Sequence, residues 1–229
     1  MGMMPSFINL HGHTFVNPQG QAPVIIDCGA NRGEFSAASL KQWPAARIYA
    51  IEPNPELHSD LEKIPVLHLY RCALDVKESS IRFNVSKNPE ASSAMWTVDG
   101  VSAIDVPAIR LGSVIEQAGG KIDLVKMDIE GSELAVLLGL EDRYLVGISQ
   151  ISVEFHDFIR PETLPEIKAV HRRLRKAGFS RVNHSWPRRI DVLYYRQERV
   201  HASGLEAALV PPRNIIKRLE RSFKALARR

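Results

Sequence analysis

Five carboxylates stand where a β-rich run ends or has just ended: Asp27, Glu52, Asp128, Glu130 and Glu154, with His156 two residues beyond the last. Strand ends are where open α/β sheets bind ligands, so these side chains are candidates for one site. The most specific context is the first. Val24 to Cys28 carries Asp27 into Gly29-Ala30-Asn31-Arg32-Gly33, after which a helical pattern begins. A strand, a glycine turn and a helix in this order present a nucleotide-like ligand to a helix N-terminus.

The spacing narrows the ligand. A dinucleotide turn brings its backbone against pyrophosphate through three glycines, and here Asn31 stands between only two, Gly29 and Gly33. No Gly-Lys-Ser/Thr follows, which excludes a P-loop. Asp27 would repel a phosphate but suits a ligand carrying an ammonium and a sulfonium, which describes S-adenosylmethionine. Glu52 ends a second run, Arg47 to Glu52, 25 residues on, where a carboxylate can accept both hydroxyls of a ribose. A third run, Ile122 to Met127, delivers Asp128 and Glu130 to the same edge, with Glu133 in the first turn of the next helix.

Methyl transfer is an in-line displacement in which the protein chiefly aligns the acceptor. An alcohol acceptor must also lose a proton, and a base within about 3 Å would take it. Asp128, Glu130, Glu154 and His156 are the candidates, and a histidine accepts a proton near neutral pH. Each has a plainer role: Asp128 as a cofactor ligand or helix cap, His156 as a solvated loop residue. Asp128, Glu130 and Glu154 form a hard-oxygen set that could hold magnesium, although their spacing alone assigns no metal. His11-Gly12-His13 lacks a third ligand nearby and reads as a polar loop or lid. Lys126, alternating with apolar neighbours, points toward a buried partner such as Glu154.

Several of these segments together carry a resemblance. Asp27 to Gly33, Ile51 to Pro55, Ser92-Ser93, Lys126-Met127-Asp128-Ile129-Glu130-Gly131-Ser132-Glu133 and Val153 to Phe155 resemble the FkbM-type family of S-adenosylmethionine-dependent methyltransferases. The first two are shared widely among methyltransferases, whereas Lys-x-Asp-x-Glu-Gly-x-Glu is more particular to this family. The chain departs from the pattern at Leu111-Gly112, where the family often has Leu-Asp. The resemblance implies O-methylation of a hydroxyl on a sugar, glycolipid or secondary metabolite. It places the cofactor against Asp27, Gly29, Ala30, Asn31, Gly33, Ser36, Glu52, Pro53 and Met127, with Ala73, Leu74 and Asp75 on the adenine side. Ser93, Glu130 and His156 would face the acceptor. A NAD(P)-dependent oxidoreductase and a non-catalytic cofactor-binding partner protein are the competing classes.

The elements that must position these residues alternate. Strands are predicted near Val24 to Cys28, Arg47 to Glu52, Val66 to Arg71, Asp123 to Asp128 and Gly147 to Phe155, with helices after the first, second, fourth and fifth. Ser180 to His184 and Ile190 to Tyr195 read as a closing antiparallel pair around Trp186-Pro187. The prediction is an α/β fold: a Rossmann-like, doubly wound, mostly parallel seven-stranded sheet with an antiparallel closing strand, as in class I methyltransferases. Ser80 to Val85 and Val101 to Ile109 add two strands around a polar loop, Ser86 to Gly100, placed to cover an acceptor.

With 229 residues and 45% hydrophobic content, the chain can bury one good core. The expected division is an N-terminal extension at 1–21, the methyltransferase domain at 22–200 and a basic amphipathic helix at 201–229. Cys28 and Cys72 fall in predicted strands and read as buried hydrophobes, consistent with a reducing compartment. The start of the chain lacks a secretory pattern and no run reaches membrane-spanning length, so a cytoplasmic location is expected. Charge is uneven: residues 171–229 hold 16 Lys and Arg against 4 Asp and Glu. Within 211–229 the cations interleave with Ile215, Ile216, Leu219, Phe223 and Leu226 at helical spacing. Such a helix could pack on the domain, join two copies in a homo-oligomer, or lie peripherally on the inner membrane face. Nucleic acid is disfavoured, since Phe223 is the one aromatic among these cations.

Overall fold

A computed structural model describes residues 7–65, 68–85, 102–156, 161–186 and 189–200. The chain opens with a hairpin of β1 (Phe7–Leu10) and β2 (His13–Val16), whose two-residue loop His11-Gly12 has positive φ at both positions. That backbone twist matches paired antiparallel strands. β3 (Val24–Cys28) then leads through the glycine turn into α1 (Glu34–Gln42), and β4 (Arg47–Ile51) into the short α2 (His58–Leu61) and β5 (His68–Tyr70).

Three strands form a separate small sheet, β6 (Ala73–Leu74), β7 (Ser79–Val85) and β8 (Ser102–Ile109), in the order β6-β8-β7. α3 (Leu111–Gln117) returns the chain to the main sheet at β9 (Leu124–Met127). α4 (Glu133–Gly139), α5 (Asp142–Leu145), β10 (Gln150–Val153) and α6 (Leu164–Lys176) follow, and β11 (Ser180–Asn183), β12 (Val192–Tyr195) and α7 (Gln197–Val200) complete the described chain.

The main sheet has seven strands in the order β11-β12-β10-β9-β3-β4-β5. β12 runs antiparallel to both its neighbours, and the remaining pairings are parallel. This is the doubly wound sheet with an antiparallel closing strand that the residue pattern predicts. Both faces are covered, which explains why β3, β4 and β9 read as nearly continuous apolar runs rather than alternating ones. Ile26 and Val125 face one core with α3, α4 and α6, while Ile25 and Leu124 face the other with Phe35 of α1 and Phe15 of β2. All four sheet residues are fully buried, and each such side chain contributes roughly 1.5–3 kcal/mol.

Some expectations need correction. Residues 7–16, read as part of an extension with a polar His11-Gly12-His13 loop, are a hairpin docked on the sheet. Gln150 reaches across to both backbone groups of Val16, and Asp191 accepts from the amide and the hydroxyl of Thr14. Cys72 lies just after β5 rather than in a strand, and both cysteines are buried and free. Gly112, where the family pattern often has Asp, leaves room for the Tyr144 ring: a Cβ there would meet it at 2.4 Å. Ser93 with its 86–100 loop, Asp157, Pro187 and the basic 201–229 segment lie outside the described residues. Among the described residues no helix is long and apolar enough to cross a membrane.

One close approach sets the site. At Gly29 φ is +76°, and an added Cβ would lie 1.8 Å from the backbone oxygen of Asp128. The end of β3 and the segment after β9 therefore touch through a glycine. Gly119 also has positive φ, +93°, but open space around it. Gly29→Ala should cost about 3 kcal/mol or more in urea unfolding, and Gly119→Ala only about 1 kcal/mol. Equal losses would show that backbone strain, not this contact, decides the position.

Candidate active site

The glycine turn is held from within. The amides of Gly29 and Ala30 both donate to the carbonyl of Ile51, that of Asn31 to Glu52 Oε2, that of Arg32 to Asn31 Oδ1 and that of Gly33 to the carbonyl of Ala30. Every amide from 29 to 33 is thus satisfied inside the protein. An anion cradle needs such groups free, so this turn is not built to bind pyrophosphate. Asn31 takes positive φ, +51°, a conformation asparagine tolerates.

Asp27 does not reach the ligand side. It is fully buried, accepts from Ser36 Oγ at 2.7 Å and pairs with Lys126 Nζ at 3.2 Å. The same ammonium donates to the carbonyls of Gly29 at 2.6 Å and Cys28 at 3.3 Å. Burial would lower the Lys126 pKa, but the charges of Asp27 and Asp128 outweigh it and hold the group above its ordinary value. Asp27 and Ser36 therefore brace the turn from behind, and the partner of Lys126 is Asp27, not Glu154.

A cleft of about 380 Å³ opens at the carboxyl edge of β3, β4, β9 and β10. Of the predicted cofactor residues, Gly29, Ala30, Asn31, Glu52, Pro53, Ala73 and Leu74 line it. Gly33 does not: it caps α1, packed against Leu61 and Ile64. Met127 is fully buried in the core, and Asp75 lines a different recess beside Arg110. Asp128, Glu130 and Glu154 line the opposite side, so the structure brings Glu154 of a separate strand end beside the neighbouring pair Asp128 and Glu130. His11, His13, Phe35 and Phe83 also line the cleft and were not predicted to; the two-residue His11-Gly12 turn between alternating residues was the signal for the hairpin that carries both histidines.

Glu52 is 5% exposed, and its two oxygens accept from the amides of Asn31 and Asn54, each at 2.8 Å. Burial nevertheless pushes its carboxyl up to about 7, against the pull of the Asn54 and Asn31 amides. Each oxygen keeps a lone pair for a further donor.

The Lys126 to Glu133 motif divides its labour. Lys126 braces the glycine turn, while Asp128 and Glu130 face the cleft, Glu130 at a positive φ of +53°. Glu133 is buried and accepts from the amides of Ile129 and Gly131, tying the segment to the start of α4. Glu130 is raised above its ordinary pKa, by burial first, with His156 opposing.

His156 lies among carboxylates. Its Nε2 lies 3.2 Å from Glu130 Oε2 and 3.7 Å from Asp128 Oδ1, and its Nδ1 3.2 Å from Glu133 Oε1. Burial would lower its pKa, but Glu130 and Glu133 prevail and push it up to about 11. Held between carboxylates, the imidazolium form of His156 is favoured, which weighs against it as the acceptor's base.

Two groups of ligand atoms fall within 4.8 Å of one another among the described residues: His13, Asp128 and Glu154, and Asp128, Glu130 and His156. The predicted trio of Asp128, Glu130 and Glu154 is neither of these.

The pattern of histidines is measurable. The folded pKa of His156 lies above its unfolded value near 6.5, so its contribution to stability is full below about pH 6.5 and is lost as pH rises through about 11. His171 and His184 are instead pushed down to about 4, by burial first. Imidazole NMR titration from pH 5.5 to 9 should leave all three unchanged, His156 charged and the other two neutral. A midpoint near 6.5 for His156 would return it to the list of bases.

The family model described as the Methyltransferase FkbM domain matches residues 27–181. The chain is 27% identical over 193 residues to the 31-O-demethyl-FK506 methyltransferase FkbM of Streptomyces tacrolimicus, covering 69% of this chain and 72% of that one. It is 26% identical over 139 residues to the 2-O-methyltransferase NoeI of Sinorhizobium fredii, covering 51% and 57%. Across the curated relatives it matches, the chain spans from 9% to 72% of their length. The crystal structure of methyltransferase FkbM from Methylobacillus flagellatus aligns with a TM-score of 0.53 at 19% identity, over 76% of this chain and 44% of that one. The shared fold is that of class I methyltransferases.

Proposed function

Since the chain belongs to the FkbM methyltransferase family, we propose that it methylates a hydroxyl oxygen on a sugar, glycolipid or secondary metabolite, with S-adenosylmethionine as donor. The observation that carries this reading is the cleft, with Glu52 and the satisfied glycine turn on one side and Asp128, Glu130 and Glu154 on the other. A wall of carboxylates without free backbone donors in the turn fits a ligand bearing an ammonium and a sulfonium, and does not fit a pyrophosphate. The O-methyl chemistry in the names of the Streptomyces and Sinorhizobium relatives supports an oxygen acceptor.

S-adenosylmethionine supplies an electrophilic methyl: as the acceptor oxygen bonds to the carbon, the carbon–sulfur bond breaks and its electron pair stays on sulfur. The chain's own residues bind and align. Glu52 accepts the ribose hydroxyls, while Ala73 and Leu74 border the adenine. Glu130 takes the acceptor's proton, because its raised pKa makes it a stronger base than an exposed carboxylate and it lines the cleft. His156 holds Glu130 in place from behind.

The ribose assignment has a pH signature. Below about 7 the Glu52 carboxyl is neutral and accepts poorly, and above it the carboxylate accepts both hydroxyls. Calorimetry with S-adenosylhomocysteine should therefore show affinity rising about tenfold from pH 6 to 8, a step absent in Glu52→Gln. No binding at any pH would sink the methyltransferase reading for this chain. For the base, Glu130→Gln should leave that affinity unchanged and lower kcat by about 10²–10⁴, measured as labelled methyl transfer to a panel of glycans and hydroxylated metabolites. An unchanged kcat would move the role to another group.

A further inference from the structure

Outside the cofactor turn, the cleft gathers a second set of donors from three separate segments. His13 comes from β2, Asp128 from the segment after β9 and Glu154 from the end of β10, and their ligand atoms lie within 4.8 Å of one another. The histidine is not a solvated surface group. It is 3% exposed, on a strand anchored through Thr14 to Asp191 and through Val16 to Gln150. Its Nδ1 lies 3.2 Å from the buried hydroxyl of Ser152, and its Nε2 faces Asp128 Oδ2 at 4.0 Å. Metal-ligating histidines are held this way, one ring nitrogen tied to a polar neighbour and the other presented to the ion.

The spacing speaks for a shared ion rather than direct contact. A separation of 4.0 Å is too long for a hydrogen bond. Two donors each about 2.1 Å from one octahedral ion stand roughly 3 to 4.2 Å apart. Asp128 Oδ1 faces His156 at 3.7 Å, which leaves Oδ2 turned toward His13. The neighbouring group of Asp128, Glu130 and His156 is a poorer candidate. Both ring nitrogens of His156 already face carboxylates, so neither is presented to an ion.

We propose that His13, Asp128 and Glu154 bind one divalent cation. One imidazole and two carboxylates suit a first-row ion such as Mn²⁺, and the two carboxylates balance its charge. Three protein donors leave about three positions of an octahedron for ligands in the cleft. Resting on the methyl-transfer reading, this narrows the acceptor to a molecule presenting two adjacent oxygens, such as a vicinal diol, with the cation lowering the pKa of the hydroxyl to be methylated.

The test is Mn²⁺ binding to the chelator-treated full chain, followed by calorimetry and electron paramagnetic resonance. One site per chain is expected, with a nitrogen coupling from a directly bound imidazole in the electron spin-echo spectrum. His13→Ala should weaken Mn²⁺ at least tenfold while leaving S-adenosylhomocysteine affinity unchanged. The absence of a Mn²⁺ site, or a site lacking the nitrogen coupling, overturns the proposal whether or not the variant folds. Because S-adenosylhomocysteine binding is measured separately, losing the metal site leaves the methyl-transfer reading standing, and losing cofactor binding does not remove the metal.

Discussion

The buried pair of Lys126 and Asp27 is the contact on which the site depends. Asp27 lies in β3 just before the glycine loop, in register with Lys126 of the adjacent β9, and their union holds β3, the turn and β9 at one spacing. Burying two charges is costly, and it is tolerated only where their remaining hydrogen bonds are made. Here Ser36 serves Asp27, and the carbonyls of Cys28 and Gly29 serve Lys126. The geometry that follows is tight enough that only glycine fits at position 29, against the backbone of Asp128. The glycine turn and the acidic cluster are thus parts of one braced unit.

Around that unit the protein accumulates negative charge in a partly closed space. Carboxylates gathered this closely raise one another's pKa unless cations share the site. His156, whose imidazolium form is favoured there, lies beside Asp128, Glu130 and Glu133 together. Asp128 and Glu154 also come within reach of His13.

Much of this was legible in the residues. The seven strands were legible as apolar runs broken by turn residues, and both β3 and β9 carry the pattern of strands buried on two faces. The strand ends identified the acids, and the missing third glycine correctly separated this turn from a pyrophosphate cradle. The N-terminal hairpin was harder to see because four-residue strands carry little periodic signal. Its docking through Gln150 and Asp191 joins residues more than 130 positions apart. Asp27 was legible as a strand-end acid but not as a buried one, since either orientation fits a strand whose two faces are both covered.

By itself, then, the order of residues determined the sheet, the glycine turn and the family, because each is written in local spacing: apolar runs between turn residues, two glycines after a strand, and Lys-x-Asp-x-Glu-Gly-x-Glu. Tertiary structure alone decided which acids reach the cleft and which histidines lie among carboxylates. Those properties depend on distances of about 3 to 4 Å between segments remote in the chain, and on how far burial strips water from each group. Neither quantity is encoded in spacing along a strand.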